Sequence, residues 1–210
     1  MMQYSTALSD GMLALACLAS TLWLRPALRH RSVQRAVLLG FGLTLSAALC
    51  GVVRYGLDPD WSNWHRAFSQ LSSYLGLPLL GLAAVSLSRG KDWGRSTWTW
   101  LIIGLVLLNS ASHWLGLQPT YSLLLNLATL LMILYAGALQ WPRRLPLAAA
   151  VGVVGLFLLA GLAVGTQGFI GPLRRVDLFH ALLTPAYPLL AWLLLSLAAG
   201  VVREKPVKTL

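Results

Sequence analysis

The sequence predicts an all-α membrane protein in which residues 1–210 form one bundle of about seven transmembrane helices. Of the 210 residues, 57% are hydrophobic and only 10% are charged, whereas a soluble domain carries about 25% charged residues. Apolar runs of about 20 residues recur along the chain, and each run is long enough to cross the hydrocarbon core of a bilayer. No loop between these runs is long enough to fold as a separate domain. The lipid bilayer is therefore a predicted partner of this protein.

The predicted spans begin and end where Gly, Pro or charged residues interrupt the apolar runs. They lie near residues 6–25, 33–55, 64–87, 95–116, 120–140, 145–167 and 173–202. No basic stretch precedes the first apolar run, so this segment is predicted to stay as a helix rather than to be removed as a signal peptide. Cys17 and Cys50 lie in apolar segments at different depths and are predicted to be free thiols.

The basic residues predict the orientation of the bundle. Twelve of the 16 Lys and Arg residues lie in alternate loops and in the C-terminal tail, and the remaining four are Arg54, Arg66, Arg174 and Arg175. Because loops rich in Lys and Arg stay in the cytoplasm, the N-terminus is predicted outside and the C-terminus inside, as in a bacterial inner membrane. The net charge of +10 is explained by these loops, and nucleic-acid binding is not expected because no soluble basic domain exists. The oligomeric state is not determined by the sequence.

Polar residues concentrate in the predicted outer half of the bundle, while the inner half is mostly Leu, Ala, Val and Gly. The last span opens with four polar residues at the three-and-four spacing of one helical face, namely Asp177, His180, Thr184 and Tyr187. The outer ends of other spans add Asp10, Arg54, His65, Ser69, Asn109, His113 and Asn126. Isolating such groups in lipid is costly, so they are predicted to line a small polar cavity that opens outward.

The three outer histidines allow more than one kind of site. His65, His113 and His180, together with Asp177, could supply the nitrogen and oxygen ligands of a zinc ion, without a short motif such as HExxH. Alternatively, Asp177 orients the imidazole of His180 for proton transfer, or the two residues are an ordinary helix end that faces water. Two facing imidazoles could instead ligate a b-type haem.

Two prolines and two arginines also have predicted roles. Pro185 and Pro188 each remove a helical hydrogen bond and are predicted to break the last helix beside the cavity. Arg54 and Arg66 either extend to lipid headgroups, clamp an anionic ligand, or pair with Asp10 or Asp177. The residues predicted to bind a ligand are Asp10, Arg54, Asn109, Asn126, Thr184 and Tyr187.

The span count, the outside N-terminus and a final helix that opens with DLFHALLTPAYPLL resemble the seven-helix membrane hydrolase superfamily of alkaline ceramidases and adiponectin-type receptors. The chain looks most like a bacterial branch of this superfamily. The resemblance implies a zinc site that includes a His-x3-His pair on the last helix, and His180 is the residue that carries over. Thr184 stands at the second position of that pair, and Arg54 stands near the place of a histidine on the second helix.

Because that ligand set is incomplete, the first hypothesis is a binding, sensing or accessory membrane protein for a lipid or small-molecule ligand. The alternative is a metal-dependent hydrolase of a lipid amide or ester, with His65, His113 and His180 as ligands. Asp177 would then act as base or orient the metal site, and Ser69 would stabilise the oxyanion. A b-haem-binding membrane subunit is the second alternative. A transporter is not favoured, because the inner half lacks polar groups along a path.

Overall fold

The structure, a computed structural model, describes residues 3–203 and the side chains of residues 3–200. Seven helices follow in order: α1 (Tyr4–Ala27), α2 (Val33–Gly56), α3 (Pro59–Ser88), α4 (Arg95–Trp114), α5 (Gln118–Ala138), α6 (Arg144–Val164) and α7 (Arg175–Arg203). Between α6 and α7, β1 (Phe169–Ile170) and β2 (Leu173–Arg174) form a two-residue antiparallel hairpin. The predicted all-α class is confirmed. The tail lysines Lys205 and Lys208 lie outside the described residues.

Within the described chain, six of the helices are long and apolar enough to cross a membrane, and α4 is the exception. Strongly apolar residues occupy only positions 101–108 of α4, between TWTW on one side and NSASHW on the other. Eight helical residues extend about 12 Å, whereas the hydrocarbon core is about 30 Å thick. In addition, only Trp98 and Ser112 of this helix are buried, so α4 lies at the edge of the bundle.

Helices α2 and α7 form the centre of the fold. Helix α1 packs against both of them, α3 packs against α2 and α7, and α5 and α6 complete the wall on the other side. Several large side chains of the shared core have almost no exposed surface, namely Phe41, Leu79, Leu80, Ile133, Leu190 and Leu194. Cys17 and Cys50 are both buried and free, as predicted.

The irregular turns of the helices differ from those that the sequence predicts. Helix α7 continues through Pro185 and Pro188 without interruption, so the predicted break at these prolines is wrong. Instead, π-helical turns interrupt α3 at Ser72–Gly76 and α6 at Leu159–Val164. Such turns take in one extra residue and occur frequently at functional sites. The turn in α6 ends that helix, whereas the turn in α3 lies near the middle of its helix.

The short loops make successive helices run in opposite directions, which gives the bundle two chemically different ends. Helix α2 ends near Arg54, α3 begins near Arg66, and the β-hairpin brings Arg174 and Arg175 to that same end. The other Lys and Arg side chains of the described residues lie at the opposite end, in the loops and the adjoining helix turns. We call the end with Arg54, Arg66, Arg174 and Arg175 the cavity end, because a cavity opens there.

Candidate functional site

A cavity of about 1100 Å³ opens at the cavity end, among α1, α2, α3, α5, α6 and α7. Both π-helical turns contribute to its wall, through Ser72, Ser73 and Tyr74 on α3 and through Gly161 on α6. A regular α-helix places successive side chains about 100° apart, and the wider turn redirects this pattern. The π turns therefore help to expose a polar strip of α3 to the cavity.

The rim of the cavity is positively charged. Arg54, Arg66 and Arg174 all line it, whereas Asp10 is the single acidic residue among the lining residues that the structure describes. Two of the guanidinium groups are held over aromatic rings: Arg54 lies 4.7 Å from the ring centre of Tyr55, and Arg174 lies 5.6 Å from that of Phe169. Such cation–π contacts position a guanidinium without neutralising its charge.

Beyond the rim, part of the cavity wall is apolar. It includes Leu13 of α1, Leu77 of α3, Leu130 of α5, Phe157 of α6 and Leu183 of α7. A bound molecule would therefore meet guanidinium groups at the rim and hydrocarbon side chains further in. This division matches an amphipathic molecule better than a fully polar or a fully apolar one.

His180 lies on the second turn of α7, where the charged rim meets the apolar wall, and it is held by α1. Its Nδ1 atom lies 3.2 Å from Oγ of Ser9 and 3.4 Å from Oδ1 of Asp10. Asp10 has a relative exposure of 1%, and its Oδ2 atom has no hydrogen-bond partner in the described chain. A buried carboxyl group of this kind is costly unless a neighbour compensates it.

The contacts at Nδ1 favour one tautomer of this imidazole. Ser9 Oγ lies 3.0 Å from the backbone carbonyl oxygen of Thr6, to which it can only donate. With its hydrogen there, Ser9 Oγ accepts at Nδ1 of His180, where Oδ1 of Asp10 is a second acceptor. This arrangement favours the proton on Nδ1 and the lone pair on Nε2. No hydrogen bond to Nε2 is present among the described residues, and His180 lines the cavity.

Gly51 of α2 makes room for Asp10. A Cβ atom at this position would collide with Oδ2 of Asp10, and it would lie 2.6 Å from the Cγ atom of the same residue. Helix α1 can therefore bring Asp10 to His180 only because α2 has no side chain here. This role of Gly51 could not be predicted from the sequence, since a single glycine in an apolar span carries no signal of its own.

Asp177 has a different partner from the one predicted. Its Oδ1 atom accepts a hydrogen bond from the hydroxyl group of Thr6 at 2.7 Å, and the residue does not line the cavity. The predicted pairing of Asp177 with His180 is therefore replaced by the pairing of Asp10 with His180. The reason is geometric, because α1 runs alongside α7 and Thr6 and Asp10 are one turn apart on the face that α7 contacts.

His65 lines the same cavity from α3. Its Nδ1 atom lies 3.0 Å from the backbone carbonyl oxygen of Ala47. A carbonyl group can only accept, so Nδ1 of His65 also carries the proton and its Nε2 lone pair is free. The contacts at Nδ1 thus favour the same tautomer in both imidazoles of the cavity.

Hydroxyl and amide groups close the inner polar part of the cavity. Thr44 lies at its centre, with its Oγ1 atom 2.7 Å from Oγ of Ser72 and 3.0 Å from the hydroxyl oxygen of Tyr187. Asn126 donates from Nδ2 to Oγ of Ser73 at 3.0 Å, and its Oδ1 atom is buried without a partner in the described chain. These contacts join α2, α3, α5 and α7 around the cavity.

Seven of the predicted site residues line this cavity, namely Asp10, Arg54, His65, Ser69, Asn126, His180 and Tyr187. Four do not, namely Asn109, His113, Asp177 and Thr184. Asn109 and His113 lie on the peripheral helix α4, which explains their separation from the others. Thr184 instead donates to the backbone carbonyl of His180 at 2.8 Å, as a threonine inside a membrane helix often does.

The predicted zinc ligands do not come together. His113 is exposed on the last turn of α4, away from the cavity that His65 and His180 share. Across residues 3–200, no group of three or more His, Cys, Asp or Glu side chains is placed to hold a metal ion. The predicted zinc site is therefore not formed by His65, His113, His180 and Asp177. Helix α4 holds His113 outside the cavity, and Asp177 bonds to Thr6 instead.

In its described residues, the protein is a helical bundle with six helices that are long and apolar enough to cross a membrane. An amphipathic cavity opens at the less basic end of this bundle. The chain belongs to a family described as a family of unknown function (DUF6962), whose model matches residues 5–199. No curated protein and no solved structure matches the chain.

Proposed function

We propose that this chain is an integral membrane protein whose cavity binds an anionic amphipathic lipid. The observation that carries the proposal is the charge of the cavity lining, where three arginines outnumber a single carboxyl group. Guanidinium groups bind phosphate and carboxylate groups through paired hydrogen bonds, and they do so better than ammonium groups. The apolar wall beneath the rim would hold the first part of the hydrocarbon chains.

The volume and position of the cavity support a lipid rather than a small soluble anion. About 1100 Å³ is more than a phosphate ion needs, and it is comparable to the larger ligand pockets of proteins. The unpartnered Oδ1 atom of Asn126 would accept a hydrogen bond from a hydroxyl group of the bound headgroup. Buried polar atoms are rarely left without partners, so such a donor would offset a cost that the protein otherwise bears.

The binding proposal predicts a clear effect of the rim arginines. We expect the variant with Arg54→Gln, Arg66→Gln and Arg174→Gln to bind phosphatidylglycerol at least about tenfold more weakly, because hydrogen bonds to charged groups contribute about 1.5–3 kcal/mol each. The purified proteins would be titrated with phosphatidylglycerol and with zwitterionic phosphatidylcholine in detergent, and bound lipid would be counted by native mass spectrometry. Arg95→Gln is the matched control, since Arg95 is an exposed arginine at the opposite end.

Equal retention of phosphatidylglycerol by the wild type and the triple variant would contradict the proposal. Equal retention of phosphatidylcholine and phosphatidylglycerol by the wild type would do the same, because the rim would then make no charge selection. A selective loss in the triple variant, with Arg95→Gln unchanged, supports it.

We further propose that the cavity end faces the outside and the opposite, more basic end faces the cytoplasm, following the distribution of Lys and Arg. Asp60, on the first turn of α3, and Lys91, in the loop between α3 and α4, are exposed residues at the two ends. In spheroplasts, a membrane-impermeant maleimide is expected to label an Asp60→Cys protein and to label a Lys91→Cys protein only after lysis. The reverse pattern would overturn the orientation. The wild type, whose two cysteines are buried, provides the background.

A bacterial inner membrane as the location, kinship with the seven-helix hydrolase superfamily, and zinc or haem as a cofactor stay predictions from the sequence. Among these, the zinc hydrolase has the least support from the geometry, because its ligands do not assemble. The binding, sensing or accessory hypothesis is the one that the charge and shape of the cavity favour.

A further inference from the structure

We propose that the cavity is also a catalytic site, in which Nε2 of His180 is the general base for hydrolysis of an acyl ester in the bound anionic amphiphile. This inference rests on the proposed lipid binding and goes beyond it. It requires no metal ligand set, and it uses contacts that the sequence did not predict. Three observations support it: the tautomer of His180, its neighbours Ser9 and Asp10, and its depth in the cavity.

The tautomer provides a base at the correct atom. Two acceptors at Nδ1, namely Oδ1 of Asp10 and Oγ of Ser9 with its hydrogen on the carbonyl of Thr6, favour the tautomer of His180 that has its proton on Nδ1. Nε2 therefore has a lone pair on a residue that lines the cavity. A general base must reach the proton it removes directly or through one water molecule, and a cavity-lining nitrogen without a hydrogen bond meets this requirement.

The neighbours of Nδ1 suit the charge that develops during catalysis. When Nε2 accepts a proton, the imidazole becomes positively charged, with the Asp10 carboxyl group 3.4 Å from Nδ1. A carboxylate in this position orients the ring and stabilises the imidazolium. Asp10 is held by its own burial and by the space that Gly51 leaves. Asp10 is therefore a positioning residue, and His180 is the catalytic residue of this proposal.

The depth of His180 indicates which bond would react. Arg174 precedes α7 by one residue and lines the rim, and Leu183 lies one turn beyond His180 on the apolar wall. Along the axis of α7, at 1.5 Å per residue, His180 is thus about 7.5 Å from Arg175, which follows the rim arginine, and about 4.5 Å from Leu183. In an anionic glycerolipid, the acyl esters lie between the headgroup and the hydrocarbon chains. A lipid bound by its headgroup at the rim would place an ester beside His180.

The reaction is a simple hydrolysis. Nε2 of His180 takes one proton from a water molecule, and the oxygen of that water forms a bond to the ester carbonyl carbon. The bond between this carbon and the alkoxy oxygen then breaks, and the departing alkoxide takes the proton from Nε2. The products are a fatty acid and an alcohol, and no oxidant or reductant is needed. Ser69 lines the same cavity, and its hydroxyl group is the candidate donor to the oxyanion of the intermediate.

The test uses full-length protein in mixed micelles with dioleoyl phosphatidylglycerol and, as a second probe, para-nitrophenyl laurate. Release of oleate would be followed by mass spectrometry in water enriched in ¹⁸O, so that enzymatic cleavage incorporates the label. We expect His180→Gln to lower the rate at least about 100-fold, since a positioned general base contributes about 10²–10⁴-fold. Asp10→Asn is expected to lower kcat about tenfold with KM nearly unchanged. His113→Gln, an exposed histidine outside the cavity, is the control and should match the wild type.

Binding of phosphatidylglycerol is measured on the same samples, which separates the two proposals. Retained binding with no hydrolysis of either probe above the His180→Gln background would overturn catalysis and leave lipid binding standing. A wild-type protein that neither binds phosphatidylglycerol nor hydrolyses either probe would overturn both proposals. Hydrolysis that disappears on treatment of the wild type with 1,10-phenanthroline would assign the chemistry to a metal and overturn the metal-free base.

Discussion

A Gly51→Ala protein is expected to lose the contact between Asp10 and His180 and to unfold more easily than the wild type. The added methyl group would occupy the space of the Asp10 carboxyl group, with Cβ 2.6 Å from its Cγ atom. Asp10 has a relative exposure of 1% and lines the cavity, so its carboxyl group could give way only by leaving its place beside His180. Overpacking of a buried site typically costs about 1–3 kcal/mol, and moving a buried carboxyl group from its neighbour adds to that cost.

The matched control for this variant is Gly11→Ala on the facing helix. A Cβ atom at Gly11 would lie 3.8 Å from Cγ2 of Val52, which is an ordinary van der Waals contact. The free energies of unfolding would be compared in mixed detergent micelles, together with the ester hydrolysis described above. Equal stability and equal hydrolysis in the two variants would show that Gly51 does not position Asp10. A defect in Gly51→Ala alone supports the role assigned to this glycine.

Gly40→Ala is expected to destabilise the protein by about 3 kcal/mol, at the upper end of the range for overpacked cores. A Cβ atom here would lie 2.7 Å from Cγ of Leu80 and 2.9 Å from the backbone oxygen of Gly76. The leucine could change its rotamer, but the backbone oxygen moves only if α3 moves. Membrane helices commonly use small residues for such close approach. Because Gly76 ends the π-helical turn of α3, the displacement would also reach the cavity.

Gly42→Ala, two residues away on the same helix, is expected to have the opposite effect on stability. No atom lies within 4 Å of a Cβ atom at this position. Alanine in the middle of a helix is favoured over glycine by about 0.5–1 kcal/mol, so this variant should be slightly more stable than the wild type. Unfolding in mixed micelles, followed by the far-ultraviolet circular dichroism signal, would measure both changes. A Gly40→Ala protein as stable as Gly42→Ala would contradict the close packing of α2 on α3.

The helices of the fold could be predicted from the sequence, because apolar runs of about 20 residues have few alternatives in a bilayer. The π-helical turns could not, since they leave no trace in the periodicity and Pro185 and Pro188 offered a more obvious place for a break. The peripheral position of α4 could not be predicted either. Helix α4 has the length of a span, but its few buried residues, Trp98 and Ser112, place it at the periphery.

Only part of the candidate site could be predicted from the sequence. Arg54, His65, Asn126 and His180 stand out because polar groups in apolar segments need partners. Which partner each one finds depends on the rotation and depth of separate helices, and the sequence does not give these. Asp177 is the example: it is three residues from His180, yet its carboxyl group bonds to Thr6 on another helix.

The π-helical turn of α3 separates an outer part of the helix from an inner part. Deleting one residue within Ser72–Gly76 would restore regular α-helical bonding. Because the wide turn accommodates the extra residue, both parts of α3 would keep their orientation, and only the side chains of the turn itself would be redirected. The inner part, with Leu79 and Leu80 in the core, would keep its packing. The outer part, with His65 and Ser69, would still face the cavity, and the change would fall on Ser72, Ser73 and Tyr74, which line it. A family with this fold could therefore change its ligand by gaining or losing a single residue, without rebuilding its core.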